Sequence, residues 1–182
     1  MIPEIGHFAL ILALLVAFVQ ATMPMVGAHR GNQAWMAIAR PAALTQFGLV
    51  AVAFGCLTQA YVTSDFSVLN VFQNSHTAKP LLYKISGVWG NHEGSLLLWV
   101  MILSLFGSAV ALFGTNLPPG LRARVLGVQA MIALGFYLFI LLTSNPFERV
   151  EVPPINGQDL NPLLQDFGLA IHPPMLYLGY VG

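Results

Sequence analysis

The sequence predicts an all-α integral membrane protein, a polytopic helix bundle with four complete transmembrane helices and the start of a fifth. Two observations carry this prediction. Of the 182 residues, 57% are hydrophobic and only 8% are charged, whereas soluble domains carry about 25% charged residues. The charged residues also leave long uncharged stretches, and four of these exceed the length of about 20 residues that a spanning helix needs. A soluble globular protein is therefore excluded.

The uncharged stretches define the helices in order. The first follows Glu4 rather than a basic segment and is too long for the apolar core of a signal peptide, so we interpret it as a permanent span. The predicted spans cover roughly residues 5–25, 42–63, 94–114, 125–145 and 173–182. The last stretch is too short to cross a membrane. We therefore expect residues 1–182 to be the N-terminal part of a larger protein, or one half of a split one.

Small residues four positions apart within two spans predict close helix packing, namely Gly107 with Ala111 and Ala51 with Gly55. The single cysteine, Cys56, excludes an internal disulfide and every CxxC motif, and we interpret it as a buried apolar residue. Seven basic and seven acidic residues give a formal net charge of zero. No basic surface is therefore expected for a nucleic acid.

The loop charges predict the orientation of the bundle. Four arginines lie in the loops after the first and third spans, where no acidic residue accompanies them: Arg30, Arg40, Arg122 and Arg124. Such loops are typical of the cytoplasmic side. The remaining loops, 65–93 and 145–166, and the N-terminal residues hold all seven acidic residues. The N-terminus is therefore predicted to be periplasmic.

A dense polar segment precedes the third span on the predicted periplasmic side. It comprises Trp89, Gly90, Asn91, His92, Glu93 and Gly94. The two glycines permit a tight turn, and Ser95 is expected to cap the helix that follows. A helix entry does not require adjacent Asn, His and Glu, so the segment is predicted to be either a helix entry or a binding surface.

A second candidate is His172, which precedes Pro173 and Pro174. The residue before a proline favours an extended backbone, and proline suits the first turn of a helix. We therefore expect the fifth helix to begin at Pro173, with the imidazole fixed at its mouth. This histidine is either a helix cap or a ligand of an apolar cofactor such as haem, whose iron accepts neutral imidazole. The other histidines without a surrounding pattern are interpreted as structural: His7, His29 and His76.

With these two segments the sequence resembles the N-terminal part of the haem-lyase subunit of bacterial cytochrome c maturation, the CcmF family, which includes the NrfE-type subunit dedicated to nitrite reductase. The resemblance covers the whole chain and is most specific at WGNHEGSLLLW, residues 89–99, and at GQDLNPLLQDFGLAIHPPMLYLGYVG, residues 157–182. It implies a protein of the bacterial inner membrane that functions at its periplasmic face. There it would receive haem from a periplasmic haem chaperone and attach it covalently to the CxxCH cysteines of an apocytochrome c.

The resemblance also implies roles for residues. His172 matches the first periplasmic histidine of the family, an axial ligand of the haem b in transit, and residues 89–94 with Pro173 and Pro174 are expected to support the haem or a partner. The family's tryptophan-rich segment, its second periplasmic histidine and the ligands of a second, structural haem b would follow Gly182. Residues 1–182 alone are therefore expected to be inactive as a haem lyase. The implied partners are the chaperone, apocytochrome c with its thiol-reducing subunit, and the bilayer.

Two other functional classes are consistent with a polytopic membrane protein. A transporter or proton-conducting subunit normally keeps Asp, Glu or Lys inside its spans, and the four complete predicted spans contain none. A structural membrane scaffold would explain the spans, but it leaves the polar segment before the third span unexplained. Haem handling is the function that the sequence favours.

Overall fold

The computed structural model describes residues 1–181, whose secondary structure is helical. The helices are α1 (Ile2–Arg30), α2 (Gln33–Ala37), α3 (Ala39–Val62), α4 (Leu69–Asn74), α5 (Leu81–Gly87), α6 (His92–Phe113), α7 (Pro119–Thr143) and α8 (Phe167–Val181). Short 3-10 turns lie at Gly114–Asn116 and Pro162–Leu164. The only pairing of extended residues within the described chain is one antiparallel bridge between Val68 and Arg149.

Four helical stretches are long and apolar enough to cross a membrane: Ile2–Arg30, Gln33–Val62, His92–Asn116 and Pro119–Thr143. The four complete spans predicted from the sequence fall on these stretches, with small overruns at the C-terminal ends of α3 and α7. The helical class and the four membrane-competent helices are therefore confirmed. The kink expected of a proline within a helix does not prevent α1 from continuing through Pro24 to Arg30.

The start of the fifth helix was predicted wrongly. Helix α8 begins at Phe167 rather than at Pro173, so His172 lies inside the helix and not at its mouth. Asp166 supplies the reason, because its carboxylate accepts the backbone N–H of Leu169 at 3.1 Å and its carbonyl accepts that of Ala170 at 2.9 Å. A capped first turn of this kind outweighs the preference of a residue before proline for an extended backbone.

Helices α1 and α6 occupy opposite corners of the four-helix bundle. Helix α1 packs between α3 and α7, and α6 completes the bundle by packing against the same two helices. A stripe of buried alanines allows this close approach: Ala9, Ala13, Ala17 and Ala21. Of the small-residue pairs proposed from the sequence, Gly107 is packed, since an added Cβ would lie 2.6 Å from the Gln129 side chain. Gly55 faces open space, so its predicted packing role is wrong.

The two ends of the bundle differ in charge. Arg149, after α7, hydrogen-bonds to Glu4 at the start of α1 and lies 3.6 Å from Asp65, after α3. The N-terminus and residues 63–91 and 144–166 thus share one end, which we call the acidic face. At the opposite end, the arginine face, Arg124 donates to the carbonyl of Ala28 at 3.2 Å. The loops are grouped as their charges predicted.

Candidate functional site at the acidic face

The two long loops of the acidic face pack on one another through backbone hydrogen bonds. The N–H of Val150 donates to the Ser67 carbonyl at 3.0 Å, and the N–H of Gln158 donates to the Phe72 carbonyl at 2.8 Å. An added Cβ at Gly157 would lie 2.0 Å from the Ser75 carbonyl, so only glycine permits this approach. The segment that leads into α8 is therefore positioned by the segment that leads into α6.

An ion pair between a buried lysine and an exposed aspartate joins the same two loops. The Lys79 ammonium, whose side chain is fully buried, lies 3.1 Å from the Asp159 carboxylate. Burial lowers the pKa of Lys79 below its usual value, while the Asp159 charge acts in the opposite direction. Burial alone would raise the pKa of Asp159, but the N–H of Leu160 and the Lys79 ammonium outweigh it, so this pKa is lowered. Because an unpaired buried charge is costly, this contact holds the loops together.

Asn91 is the centre of a polar network beneath the entry to α6. Its Nδ2 donates to Tyr61 Oη at 3.0 Å and to the Gly87 carbonyl at 2.8 Å. Asn70, which is buried, donates to Asn91 Oδ1 at 2.8 Å and to the Glu93 carboxylate at 3.2 Å. Tyr61 completes the network by donating to Asn70 Oδ1 at 2.6 Å. Asn91 and Glu93 are thus explained by their hydrogen bonds in this network.

Asn91 also caps the N-terminus of α6. The prediction that Ser95 caps this helix is wrong. Asn91 Oδ1 accepts the N–H of Gly94 at 2.8 Å, whereas the Ser95 hydroxyl donates to the carbonyl of His92. Gly94 is buried against the preceding turn, where an added Cβ would lie 1.6 Å from the Val88 carbonyl oxygen. The glycine is required for this close approach of two backbone segments.

Trp89 connects the two most specific sequence segments. Its indole N–H donates to the carbonyl of Ala170 in α8 at 2.9 Å. In a regular helix this carbonyl would accept the N–H of the residue four positions later, which is Pro174 and has no N–H. Trp89 therefore satisfies a carbonyl that proline leaves free. This contact compensates for the hydrogen bond that Pro174 removes from α8.

A second tryptophan fixes α8 further along. The indole of Trp99 donates to Tyr180 Oη at 2.9 Å and stacks on Phe136 of α7 with ring centroids 4.0 Å apart. Both tryptophan contacts join residues 81 positions apart in the sequence. Helices α6 and α8 consequently run in parallel, and α8 is held at two points on a rigid bundle.

A cavity of about 350 Å³ lies between the start of α6, the start of α8 and the turn at 160–164. Among its lining residues are Trp89, Gly90, Asn91 and His92 from the first predicted segment and Pro173 from the second. The structure thus brings these predicted residues together. Glu93 belongs to the Asn91 network, and Gly94 packs against the backbone of Val88. Pro174 leaves free the Ala170 carbonyl that Trp89 binds.

The two candidate histidines occupy different positions. His172 is exposed on α8, one residue before Pro173 of the cavity lining, and is not itself a lining residue. His92 is the first residue of α6, and its ring lies edge-on to Phe139 of α7 with centroids 6.1 Å apart. No cluster of three or more His, Cys, Asp and Glu that could hold a bare metal ion occurs within residues 1–181.

Sequence reasoning missed several residues of this site. Tyr61 and Asn70 contact Asn91 from 30 and 21 positions away, and neither stands in a recognisable motif. Ser86 and Tyr177 line the cavity but were not singled out. The one available signal was Pro174, since a proline inside a helix predicts a free carbonyl at Ala170 and hence a donor from elsewhere.

The Trp89 contact predicts a coupling between two positions. Trp89 also stacks on Phe54 of α3, with ring centroids 6.4 Å apart. Trp89→Phe keeps an aromatic ring there but leaves the Ala170 carbonyl without its donor, which should lower the stability of the full-length protein by about 1–3 kcal/mol. In a Pro174→Ala background the restored N–H can serve this carbonyl, so Trp89→Phe should cost clearly less. Thermal unfolding of the four members of this double-mutant cycle measures the coupling. Equal losses in both backgrounds would contradict the assignment.

These features define a polytopic helical membrane protein in which an ordered, histidine-bearing cap closes one end of the bundle. A sequence model of the family described as cytochrome C assembly protein matches residues 89–182, from the first tryptophan of the polar segment onward. The chain belongs to this family of cytochrome c biogenesis proteins. The family predicted from residues 89–99 and 157–182 is thereby confirmed.

Individual relatives agree with this assignment. The chain is 66% identical to the cytochrome c-type biogenesis protein ccl1 of Rhodobacter capsulatus, with 100% of the chain and 28% of that protein aligned. It is 58% identical to CcmF of Pseudomonas aeruginosa, covering 28% of it, and 39% identical to NrfE of Haemophilus influenzae, covering 29%. A solved structure, Cytochrome c Heme Lyase CcmF, matches with a TM-score of 0.86 and 25% identity over 100% of this chain and 28% of that one. The chain thus spans less than a third of the length of these relatives.

Proposed function

We propose that the full-length protein attaches haem covalently to apocytochrome c at the acidic face and that His172 binds the iron of the haem in transit. The observation that supports this proposal is the position of His172, which is exposed on a helix that is fixed to the bundle. This helix is held by Trp99 of α6 and by Trp89 in the turn before α6. An exposed imidazole on a fixed helix is suited to present a large planar substrate in one orientation.

The residues around His172 fit haem better than a bare metal ion. A porphyrin supplies the four equatorial nitrogens, so one protein imidazole is sufficient for an axial position. The neighbouring surface is apolar, with Leu169 and Leu176 exposed on α8, and apolar surroundings suit the macrocycle. In its transfer reaction the haem supplies the vinyl groups that accept the cysteines of the CxxCH motif.

The role of this chain in that reaction is to hold and orient the substrates. Fixing two reactants in the correct geometry can lower a barrier by about 7–11 kcal/mol. The nucleophile belongs to the apocytochrome, so the chain itself needs none. Cys56, which was predicted to be buried, is half-buried within α3. We further propose a periplasmic haem chaperone as haem donor and the thiol-reducing subunit as the partner that delivers reduced apocytochrome. The second, structural haem b would be bound by residues that follow those described.

This function is tested by purifying the full-length protein and recording its haem spectrum together with covalent haem staining of a co-expressed reporter cytochrome. A reporter that acquires haem only in the presence of the full-length protein supports the proposal. A full-length protein that leaves the reporter unstained while all other maturation components are present would overturn it.

We also propose that the acidic face is periplasmic and that the bundle lies in the bacterial inner membrane. The arginine face carries Arg30, Arg40, Arg122 and Arg124, and an excess of Arg in short loops is typical of the cytoplasmic side. The proposed function agrees with this orientation, because haem attachment would then occur outside the cytoplasm.

Cysteine labelling measures the orientation. In a Cys56→Ala background of the full-length protein, cysteines at the exposed residues Val152 and Ile155 of the acidic face should react with a membrane-impermeant maleimide in cells with a permeable outer membrane. Cysteines at the exposed residues Gln33 and Thr115 of the arginine face should react only after the inner membrane is opened. The reverse pattern would show that the bundle is inverted.

A further inference from the structure

Helix α8 lacks two of its own hydrogen bonds in the turn that carries His172. In a regular helix each N–H donates to the carbonyl four positions earlier, and Pro173 and Pro174 have no N–H. The carbonyls of Leu169 and Ala170 therefore lose their regular partners within the helix. Because missing bonds of this kind allow a helix to bend, the direction of His172 depends on the contacts that hold α8 before and after it.

Two tryptophans provide these contacts. The Trp89 indole donates to the carbonyl of Ala170, which precedes His172 by two residues, at 2.9 Å. The Trp99 indole donates to Tyr180 Oη, which follows His172 by eight residues, also at 2.9 Å. The Trp89 contact thus lies in the turn that the prolines weaken, and the Trp99 contact lies about two turns further along. Of the two, Trp89 has the more direct influence on the direction of His172.

Trp89 and the imidazole of His172 lie on opposite sides of α8. Ala170 is only 4% exposed, and the ring of Trp89 stacks on Phe54 of α3, so the indole lies on the bundle side of the helix. Two residues correspond to about 200° of rotation around a helix, which turns His172 to the exposed side. A haem bound by His172 would therefore lie away from the indole. Trp89 can act on this ligand through the backbone of α8.

The turn that carries Trp89 is itself fixed. The N–H of Trp89 donates to the Ser86 carbonyl at 3.2 Å. The Asn91 side chain donates to the Gly87 carbonyl at 2.8 Å and accepts the N–H of Gly94 at 2.8 Å. These bonds join the end of α5 to the start of α6 across the turn. A hydrogen-bond donor on such a turn can hold α8 in one orientation.

We propose that Trp89 is a positioning residue for His172, and that the polar segment at residues 89–94 serves haem binding through α8 rather than by contact with the haem. The inference rests on the proposed function and adds to it the residue that sets the direction of the iron ligand. Pro174 belongs to the same arrangement, because it leaves the Ala170 carbonyl available to the indole. The Asn91 network supports haem binding by holding the turn that carries Trp89.

The first test compares haem binding by the full-length protein and by its Trp89→Phe variant, each measured against its own His172→Ala counterpart. Groups that orient a metal ligand contribute about 10–100-fold to metal affinity. Trp89→Phe should therefore weaken the haem binding that depends on His172 by at least about tenfold and shift the corresponding absorption maximum. Trp35→Phe is the matched control, because Trp35 lies in α2 at the arginine face, and it should change neither quantity. An unchanged affinity and spectrum in the Trp89→Phe protein would overturn the proposal.

The second test adds Pro174→Ala to Trp89→Phe. Alanine supplies a backbone N–H four positions after Ala170, so α8 can satisfy this carbonyl itself. Most of the haem affinity that depends on His172 should return. A backbone N–H inside α8 cannot replace an indole that contacts the haem or fills space, so the rescue is specific for positioning. A double variant that binds haem no better than Trp89→Phe alone would contradict the proposal.

The third test removes the ligand. In a His172→Ala background of the full-length protein, Trp89→Phe should not lower the remaining haem affinity further, since there is no imidazole left to position. A further loss of about tenfold in this background would show that the indole contacts the haem or supports the whole bundle. Either result would exclude a positioning role.

The same variants separate this inference from the function on which it rests. If His172→Ala loses haem while Trp89→Phe binds it normally, the positioning role is wrong and the proposed function stands. If His172→Ala binds haem and matures the reporter cytochrome normally, His172 is not the ligand. Trp89 would then have no ligand to position, and both proposals would be wrong.

Discussion

Replacing His172 by alanine in the full-length protein is expected to abolish cytochrome c maturation while leaving membrane insertion intact. The side chain is exposed on α8, so its removal leaves no cavity in the bundle, and the stability should change by no more than about 0.5 kcal/mol. Loss of groups that merely support a metal ligand costs 10–100-fold in affinity, and loss of the ligand itself should cost at least about 100-fold. Haem spectra of the purified variant and covalent haem staining of a reporter measure the two effects.

Added imidazole provides a rescue that a structural defect would not show. The position left by His172→Ala is exposed, so a free imidazole can reach the iron and should partly restore the haem spectrum. His29→Ala supplies the matched control, since His29 is an exposed histidine at the arginine face and should be dispensable. Normal maturation by the His172→Ala protein would remove His172 from the site and leave the haem assignment without a ligand in this part of the chain.

Gly94→Ala is expected to prevent normal folding of the acidic face. An added Cβ would lie 1.6 Å from the Val88 carbonyl oxygen, and because this atom belongs to the backbone, a side-chain rearrangement cannot relieve the clash. Overpacking of well-packed sites costs about 1–3 kcal/mol and occasionally more, and we expect the upper end of this range. The Asn91 network and the cavity both depend on this helix entry, so haem attachment should be lost as well.

The amount of folded full-length protein in the membrane and its unfolding midpoint in detergent measure this effect. Gly55→Ala is the control, since no heavy atom lies within 4 Å of the Cβ it would introduce. Alanine favours a helix over glycine by about 1 kcal/mol, so this variant should be as stable as the unchanged protein or more so. A Gly94→Ala protein with an unchanged midpoint would show that the α6 entry tolerates a Cβ.

Local signals along the chain predicted much of the fold. Uncharged stretches located α1, α3, α6 and α7, because the bilayer core admits few charges and selects long apolar segments. The distribution of arginines and acidic residues predicted which loops lie at the same end of the bundle. The contacts of Arg149 with Glu4 and Asp65 agree with that prediction. Residues 89–99 and 157–182 predicted the family.

The helix ends and the partners of the site could not be predicted in the same way. Whether Ser95 or Asn91 caps α6 depends on where the chain turns, and the turn is set by Gly94 packing against Val88. The start of α8 depends on Asp166 and on an indole from a distant segment. Local propensity placed this start at Pro173, and tertiary contacts overruled it.

The class of protein, the membrane-competent helices, the grouping of the loops and the family resemblance depend on composition or on neighbours along the chain, so they could be predicted from the residues. Three features could not be predicted: Trp89 serves the carbonyl freed by Pro174, Asn91 binds Tyr61 and Asn70, and His92 shares a cavity with Pro173. Hydrogen bonds and cavities depend on distances of a few ångströms between segments that lie far apart in the chain. Those distances are fixed only when α6 and α8 pack in parallel.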